Sequence, residues 1–134
     1  MTSLQEYKMN SNPVMKVNFK GGDLTSDAGL LLYKSFDHKL GLSQTIKEQL
    51  VVHDNVVHRD HPNADVVIQK LYQHVSGYHP DDHADDLHAE PLFTSIFEKE
   101  RLASQPTLSR FHAKSDTATI ESLEIITETL QSRV

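Results

Sequence analysis

The stretch HPDDHADDLHAEP, from His79 to Pro91, packs three histidines, four aspartates and a glutamate into thirteen residues. Such side chains ligate divalent cations or exchange protons, so any chemistry is first sought here. On a helix, His79 and His83, Asp81 and Asp85, and Asp82 and Asp86 each lie one turn apart. A histidine pair at that spacing holds zinc when a third ligand arrives from elsewhere. No HExxH or EF-hand spacing accompanies it. The plainer reading is a solvated, capped helix. Pro80 suits the first helical position, Asp81 and Asp82 suit the positive end of the dipole, and Ala84 with Leu87 supply a small apolar stripe. No metal is assigned to it.

A second candidate is the dipeptide His53-Asp54. With His38 before it and Asp85 or Asp86 after it, the set resembles the separated histidine, HD pair and later aspartate of the HD-domain phosphohydrolases. Nine histidines in the chain make loose matches of this kind common. Serine nucleophiles find no support, because there is no GxSxG and no glycine-rich phosphate loop after a strand. The third candidate is SQPTLSRFHAK, a short helix opening at a capped proline. Its hydroxyls and N-terminus could meet phosphate, and Arg110 could read a base or fix register. The bland alternative is that Leu108 and Phe111 pack while the polar residues face solvent.

The elements that must position these groups are mostly helical. Met15, Val17 and Phe19 alternate with Lys16, Asn18 and Lys20, the period of a half-buried strand, and Gly21-Gly22-Asp23 ends it. No second strand of that quality is visible. Thr25 or Ser26 can cap a helix whose apolar face is Leu30, Leu31, Tyr33 or Lys34, Phe36 and Leu40, with Gly41 as its stop. Ser43 caps a short second helix. Asn63 caps a third, in which Val67, Ile68, Leu71, Tyr72 and Val75 recur at helical spacing up to Gly77. Leu92, Phe93, Ile96 and Phe97 face inward after Pro91, and Tyr78 is half-buried. In the last helix Ile120, Leu123, Ile126 or Ile125, and Leu130 share one side, and no stop signal follows. The fold class is therefore mainly α: a compact bundle of about five to seven short helices with a short N-terminal β-strand or hairpin.

Composition narrows the function. The formal charge is -6, divided as +1 over residues 1–50, -7 over 51–100 and zero over 101–134, so nucleic acid would be met by the ends and not the centre. The absence of cysteine excludes disulfides and thiolate catalysis. No apolar run is long enough to span a membrane and no signal peptide is visible, so no membrane partner is expected.

Four stretches then fall in a recognisable order: KGGDLTSDAGLLLYKSFDHKLGL, DVVIQKLYQHVSGY, the Asp85, Leu87 and Pro91 positions, and LASQPTLSRF. Together, over roughly Val14 to Phe111, they resemble the N-terminal region of a family of bacterial insertion-sequence transposases. The resemblance implies a DDE-type enzyme with a ribonuclease-H-like catalytic domain, in which paired Mg2+ drives cutting and joining of DNA. In that family the first catalytic aspartate follows this region, and this chain stops at Val134 before it. No triad carboxylate carries over, and Asp27 of TSDAG is not one. In the acidic stretch the resemblance carries Gly77, Tyr78, Ala84, Asp85, Leu87 and Pro91 but not the three histidines.

The expectation is a tail over residues 1–13 and a single N-terminal helical domain over 14–134, without the catalytic domain. It is no enzyme alone, needs no cofactor itself, and belongs to a complete transposase that would use Mg2+. It would bind the terminal inverted repeats of the element through Lys16, Lys20, Arg101, Ser104, Gln105, Thr107, Arg110 and Lys114. A second copy or the catalytic domain would be its protein partner, in the bacterial cytoplasm and at the nucleoid when on DNA. The rival readings are an interaction or dimerisation domain without DNA affinity and, further off, the HD-like phosphohydrolase.

Overall fold

The computed structural model describes residues 29–54, 61–78, 83–87 and 89–134, together with the backbone of Tyr7–Lys8 and Lys16–Val17. Among the described residues seven helices follow a two-stranded ladder in chain order. They are α1 (Leu30–Leu40), α2 (Leu42–Gln49), α3 (Asn63–Val75), α4 (His83–Leu87), α5 (Pro91–Phe97), α6 (Gln105–Lys114) and α7 (Thr117–Gln131). In the ladder β1 (Tyr7–Lys8) runs antiparallel to β2 (Lys16–Val17), with Tyr7 opposite Val17 and Lys8 opposite Lys16. The rest of the expected strand, the tail apart from Tyr7–Lys8, the Thr25 or Ser26 cap, Asp27 and Pro80 lie outside the described residues.

The principal core gathers Leu30, Ile46, Ile68, Tyr72, Phe93 and Ile96 from α1, α2, α3 and α5, with Ile126 from α7. Its aromatic centre is Tyr72, whose ring meets Tyr33 at 4.8 Å and Phe97 at 5.1 Å, both edge to face. Edge contacts of this kind place a positive ring rim on a negative ring face. Tyr78 is half-buried as expected, 6.0 Å from Phe93. A smaller cluster of Val66, Ala84, Ala103, Leu108 and Phe111 holds α4 and α6 against α3.

Gly41 ends α1 in the left-handed region at φ 76°, and the chain turns directly into α2. A side chain here would be strained, and its Cβ would lie 3.0 Å from Arg133 Nη1. The junction places Asp37, in the last turn of α1, over the start of α2. Its carboxylate accepts from Ser43 N at 2.8 Å, from Ser43 Oγ at 2.5 Å and from Tyr72 Oη at 2.6 Å. Asp37 is buried while Phe36 is 54% exposed, which reverses the inward Phe36 of the sequence reading. Three donors and the positive end of α2 offset the cost of burying a carboxylate. Ser43 is accordingly not the cap of α2: the N-cap is Gly41, and Ser43 donates to the carboxylate that does the capping.

Two further expectations shift for the same reason, a polar group inside. Leu71 and Val75 are exposed, and the buried face of α3 carries Val66, Ile68, Gln69, Tyr72 and Gln73. Gln69 is inside because its amide pairs with backbone, as set out below. Nor is Asn63 the cap of α3. Pro62 precedes the helix, Asn63 Nδ2 donates to Asp54, and Asn63 Oδ1 is buried without a hydrogen-bond partner. The last helix does stop. After Gln131 the chain turns, and Arg133 reaches back to Leu40 O at 3.1 Å and Thr45 Oγ1 at 2.7 Å. Of the two alternatives on α7, Ile126 is buried and Ile125 exposed, and Ile120 is exposed as well. No helix among the described residues is long and apolar enough to cross a membrane.

Candidate nucleic-acid interface

Helix α6 begins where a buried loop is pinned. Leu102 and Ala103 are both inside. Gln69 of α3 clasps Ala103 from both sides of its peptide: Ala103 N donates to Gln69 Oε1 at 2.9 Å, and Gln69 Nε2 donates to Ala103 O at 3.0 Å. A primary amide has one acceptor and a two-proton donor, so it completes a peptide as a neighbouring strand would. The second amide proton goes to Gln73 Oε1 at 2.9 Å. On the same loop Lys99 pairs with Asp65, in the first turn of α3, at 2.5 Å.

The phase of α6 follows from this start. Leu108 and Phe111 turn into the smaller core, which leaves Ser109 and Arg110 exposed and Thr107 partly so. On that outer side the polar groups touch one another. Ser104 Oγ lies 3.3 Å from Thr107 Oγ1, Arg110 Nη2 donates to Thr107 Oγ1 at 3.4 Å, and Gln105 Nε2 donates to Ser109 Oγ at 2.8 Å. Ser104 holds the N-cap position but makes no side-chain cap bond. That task falls to the acidic stretch, because Asp85 Oδ1 accepts from Gln105 N at 2.9 Å. A carboxylate thus sits at the positive end of α6, where an anion is electrostatically favoured.

The eight residues named from sequence divide accordingly. Ser104, Gln105, Thr107 and Arg110 are brought together at the first turns of α6, and exposed Arg101 lies on the loop leading in. Lys114 is turned to Asp54 at 3.2 Å, with its side chain 21% exposed, so a phosphate contact there would break an ion pair. Lys16 lies in β2 and Lys20 outside the described residues, so nothing is assigned to either side chain.

Of the other chemical candidates, the acidic stretch is described in part: His79, Pro80, Asp81, Asp82 and His88 lie outside the described residues. Within the acidic stretch α4 covers His83–Leu87 and buries Ala84 and Leu87. His83 lies 3.8 Å from Asp86. The HD pair separates: His53 Nδ1 contacts Asp116 Oδ2 at 3.0 Å, while Asp54 Oδ2 takes Lys114 and Asn63 Nδ2, the latter at 3.1 Å. With Val51 N donating to Ser122 Oγ at 3.0 Å, residues 51–54 are laced along the α6–α7 junction. Among the described residues no three histidine, aspartate or glutamate side chains converge on a point a cation could occupy. Asp116 itself caps α7 through a reciprocal bond pair with Thr119. The Thr119 backbone N–H, then His53, hold its carboxyl below the usual aspartate value. In the core the Tyr72 phenol is pushed well above its ordinary range, chiefly by burial and then by its bond to Asp37. Tyr33 is raised by burial and by the Asp37 charge.

Sequence reasoning missed Gln69, Asp37 and the capping role of Asp85. The available signal was polarity at helical spacing beside an aromatic. Gln69 and Gln73 flank Tyr72 at i, i+4, which reads as an outer face until a buried peptide is found opposite.

What the described elements define is a mainly helical domain closed by polar clasps, presenting a hydroxyl and guanidinium row on the helix that the clasps orient. Its identity comes from comparison: a family model, transposase DDE domain group 1, matches residues 7–134. The chain belongs to that family, which gives it a role in DNA transposition. No curated protein and no solved structure matches it.

Proposed function

We propose that this chain is the DNA-binding and assembly region of a DDE-type transposase, recognising the terminal inverted repeats of its element. The observation that carries the reading is the outer row of α6, where Thr107 touches both Ser104 and Arg110, with exposed Arg101 on the loop that leads in. Hydroxyls and guanidinium groups at the start of a helix suit phosphate contacts, and an arginine one turn further on suits a base edge. Asp85 occupies the same helix end, so a phosphate there would have to displace a carboxylate. The acidic middle of the chain works against non-specific binding.

In this proposal the strand transfer itself, and the Mg2+ that supports it, belong to the complete enzyme. The working compartment is the bacterial cytoplasm, at the nucleoid while on DNA. The test is quantitative. Arg110→Ala and Arg101→Ala are each expected to weaken binding to a duplex carrying the DNA that flanks the reading frame. Arg101→Ala should also lower the salt slope by about one, as loss of one phosphate contact does, and Arg110→Ala should relax the preference for that duplex over a scrambled one. If both variants bind as the native chain does, with unchanged slope, α6 is not the interface.

A further inference from the structure

Helix α6 contains no acidic residue, yet a carboxylate from another part of the chain stands at each of its ends. At the start, Asp85 Oδ1 of α4 accepts from Gln105 N at 2.9 Å. Packing fixes that placement. Ala84, just before Asp85, is buried in one cluster with Leu108 and Phe111 of α6, and Leu87 is buried in the principal core. At the other end, Lys114 Nζ lies 3.2 Å from Asp54 Oδ2 with both side chains mostly covered, and Asn63 Nδ2 donates to the same oxygen at 3.1 Å. A helix N-terminus and a lysine attract phosphate whatever the base sequence it belongs to. On α6 both already face a carboxylate. Arg110 differs: it is exposed on the outer row, in contact with the neutral hydroxyl of Thr107.

We infer that Asp85 and Asp54 are specificity-determining residues of α6, which suppress its sequence-independent attraction for phosphate and leave discrimination to Arg110. Specificity is a difference of affinities, and it rises when the competing mode is weakened. Binding to arbitrary DNA rests almost wholly on phosphate contacts. One carboxylate at the helix start and another on Lys114 weaken that mode at both ends of α6. Binding to the right sequence also draws on base edges, which an exposed arginine suits and which neither carboxylate touches through the phosphates. The inference rests on the DNA-binding half of the proposed function and names what makes that binding selective.

The test is fluorescence anisotropy on the full chain, with the duplex of DNA flanking the reading frame and a scrambled duplex. Asp85→Asn keeps an acceptor for Gln105 N and removes the charge. It should bind the scrambled duplex about fivefold more tightly, the effect of one unit charge at close range in water, and gain less on the flanking duplex. The preference between the two therefore falls. Asp54→Asn should do the same and raise the salt slope by about one, because it releases Lys114 to phosphate. Asp86→Asn is the control. Asp86 is the exposed neighbour of Asp85 and lies against His83, so its substitution removes the same charge and should leave the preference unchanged. Circular dichroism checks that each variant keeps its helices, and Asp85 with Asp86, both exposed, decide the matter if Asp54→Asn does not fold. An Asp85→Asn chain with the native preference, or an Asp86→Asn chain that loses as much, overturns the inference while the DNA-binding reading stands. A native chain that binds neither duplex overturns both.

Discussion

Replacing Gln69 by alanine tests how the start of α6 is held. The substitution removes the donor to Ala103 O and the acceptor for Ala103 N, at a residue only 1% exposed. A buried backbone group left without a partner costs about 1–3 kcal/mol, so two of them cost about 2–6 kcal/mol. That is a large share of the roughly 5–15 kcal/mol that stabilises a domain of this kind. Urea unfolding followed by circular dichroism would read the loss. The companion variant Gln69→Leu separates causes, because it restores side-chain volume but neither hydrogen bond. The clasp account predicts that leucine is about as damaging as alanine, and that amide exchange at Ala103 accelerates in both. A loss below about 1 kcal/mol, or a leucine variant close to the native chain, would show that the site needs volume and not an amide.

The remaining predictions concern the other clasps. Tyr72→Phe removes one of the three donors to the buried Asp37 carboxylate and should cost about 1.5–3 kcal/mol in the same assay. A neutral result would mean that Ser43 alone satisfies Asp37. The pH dependence follows from Asp116, whose folded pKa is depressed by its bonds to Thr119 and His53. A depressed carboxylate contributes stability that is fully present above its unfolded pKa of about 3.9 and is lost as pH falls through the lower folded value. Asp116→Asn keeps a capping side chain but cannot titrate, so the acid-side fall in Tm should be shallower than in the native chain. Equal slopes below pH ~4 would remove Asp116 from the account of acid stability.

Much of this architecture was legible because it rests on apolar spacing and on glycine. Phe93 and Ile96 of α5, Ala84 and Leu87 of α4, and Leu108 and Phe111 of α6 are buried as their spacing indicates. Gly41 and Gly77 take positive φ where their helices end. The misreadings have a common physical origin. A buried polar side chain looks exposed in a sequence, since its partner is a backbone group or a helix end that only the fold supplies. Asp37 under α2, Gln69 at Ala103 and Asp85 at α6 are three instances. Each displaced an apolar neighbour, as Asp37 did Phe36, or took over a cap assigned to a nearer hydroxyl. The candidate site was legible in part for the same reason. Ser104, Gln105, Thr107 and Arg110 are contiguous on one helix and needed no tertiary information, whereas the engagement of Lys114 depends on Asp54, sixty residues away in sequence.

The central claim is that the helical domain recognises the ends of its element. Fluorescence anisotropy would test it most directly, using a labelled duplex of the DNA flanking the reading frame and a scrambled duplex of equal composition, at low and moderate salt. The account predicts tighter binding to the flanking sequence at both salt concentrations, with affinity for either duplex falling as salt rises. Equal affinity for the two duplexes, or none for either, would contradict it and leave assembly as the role of this chain.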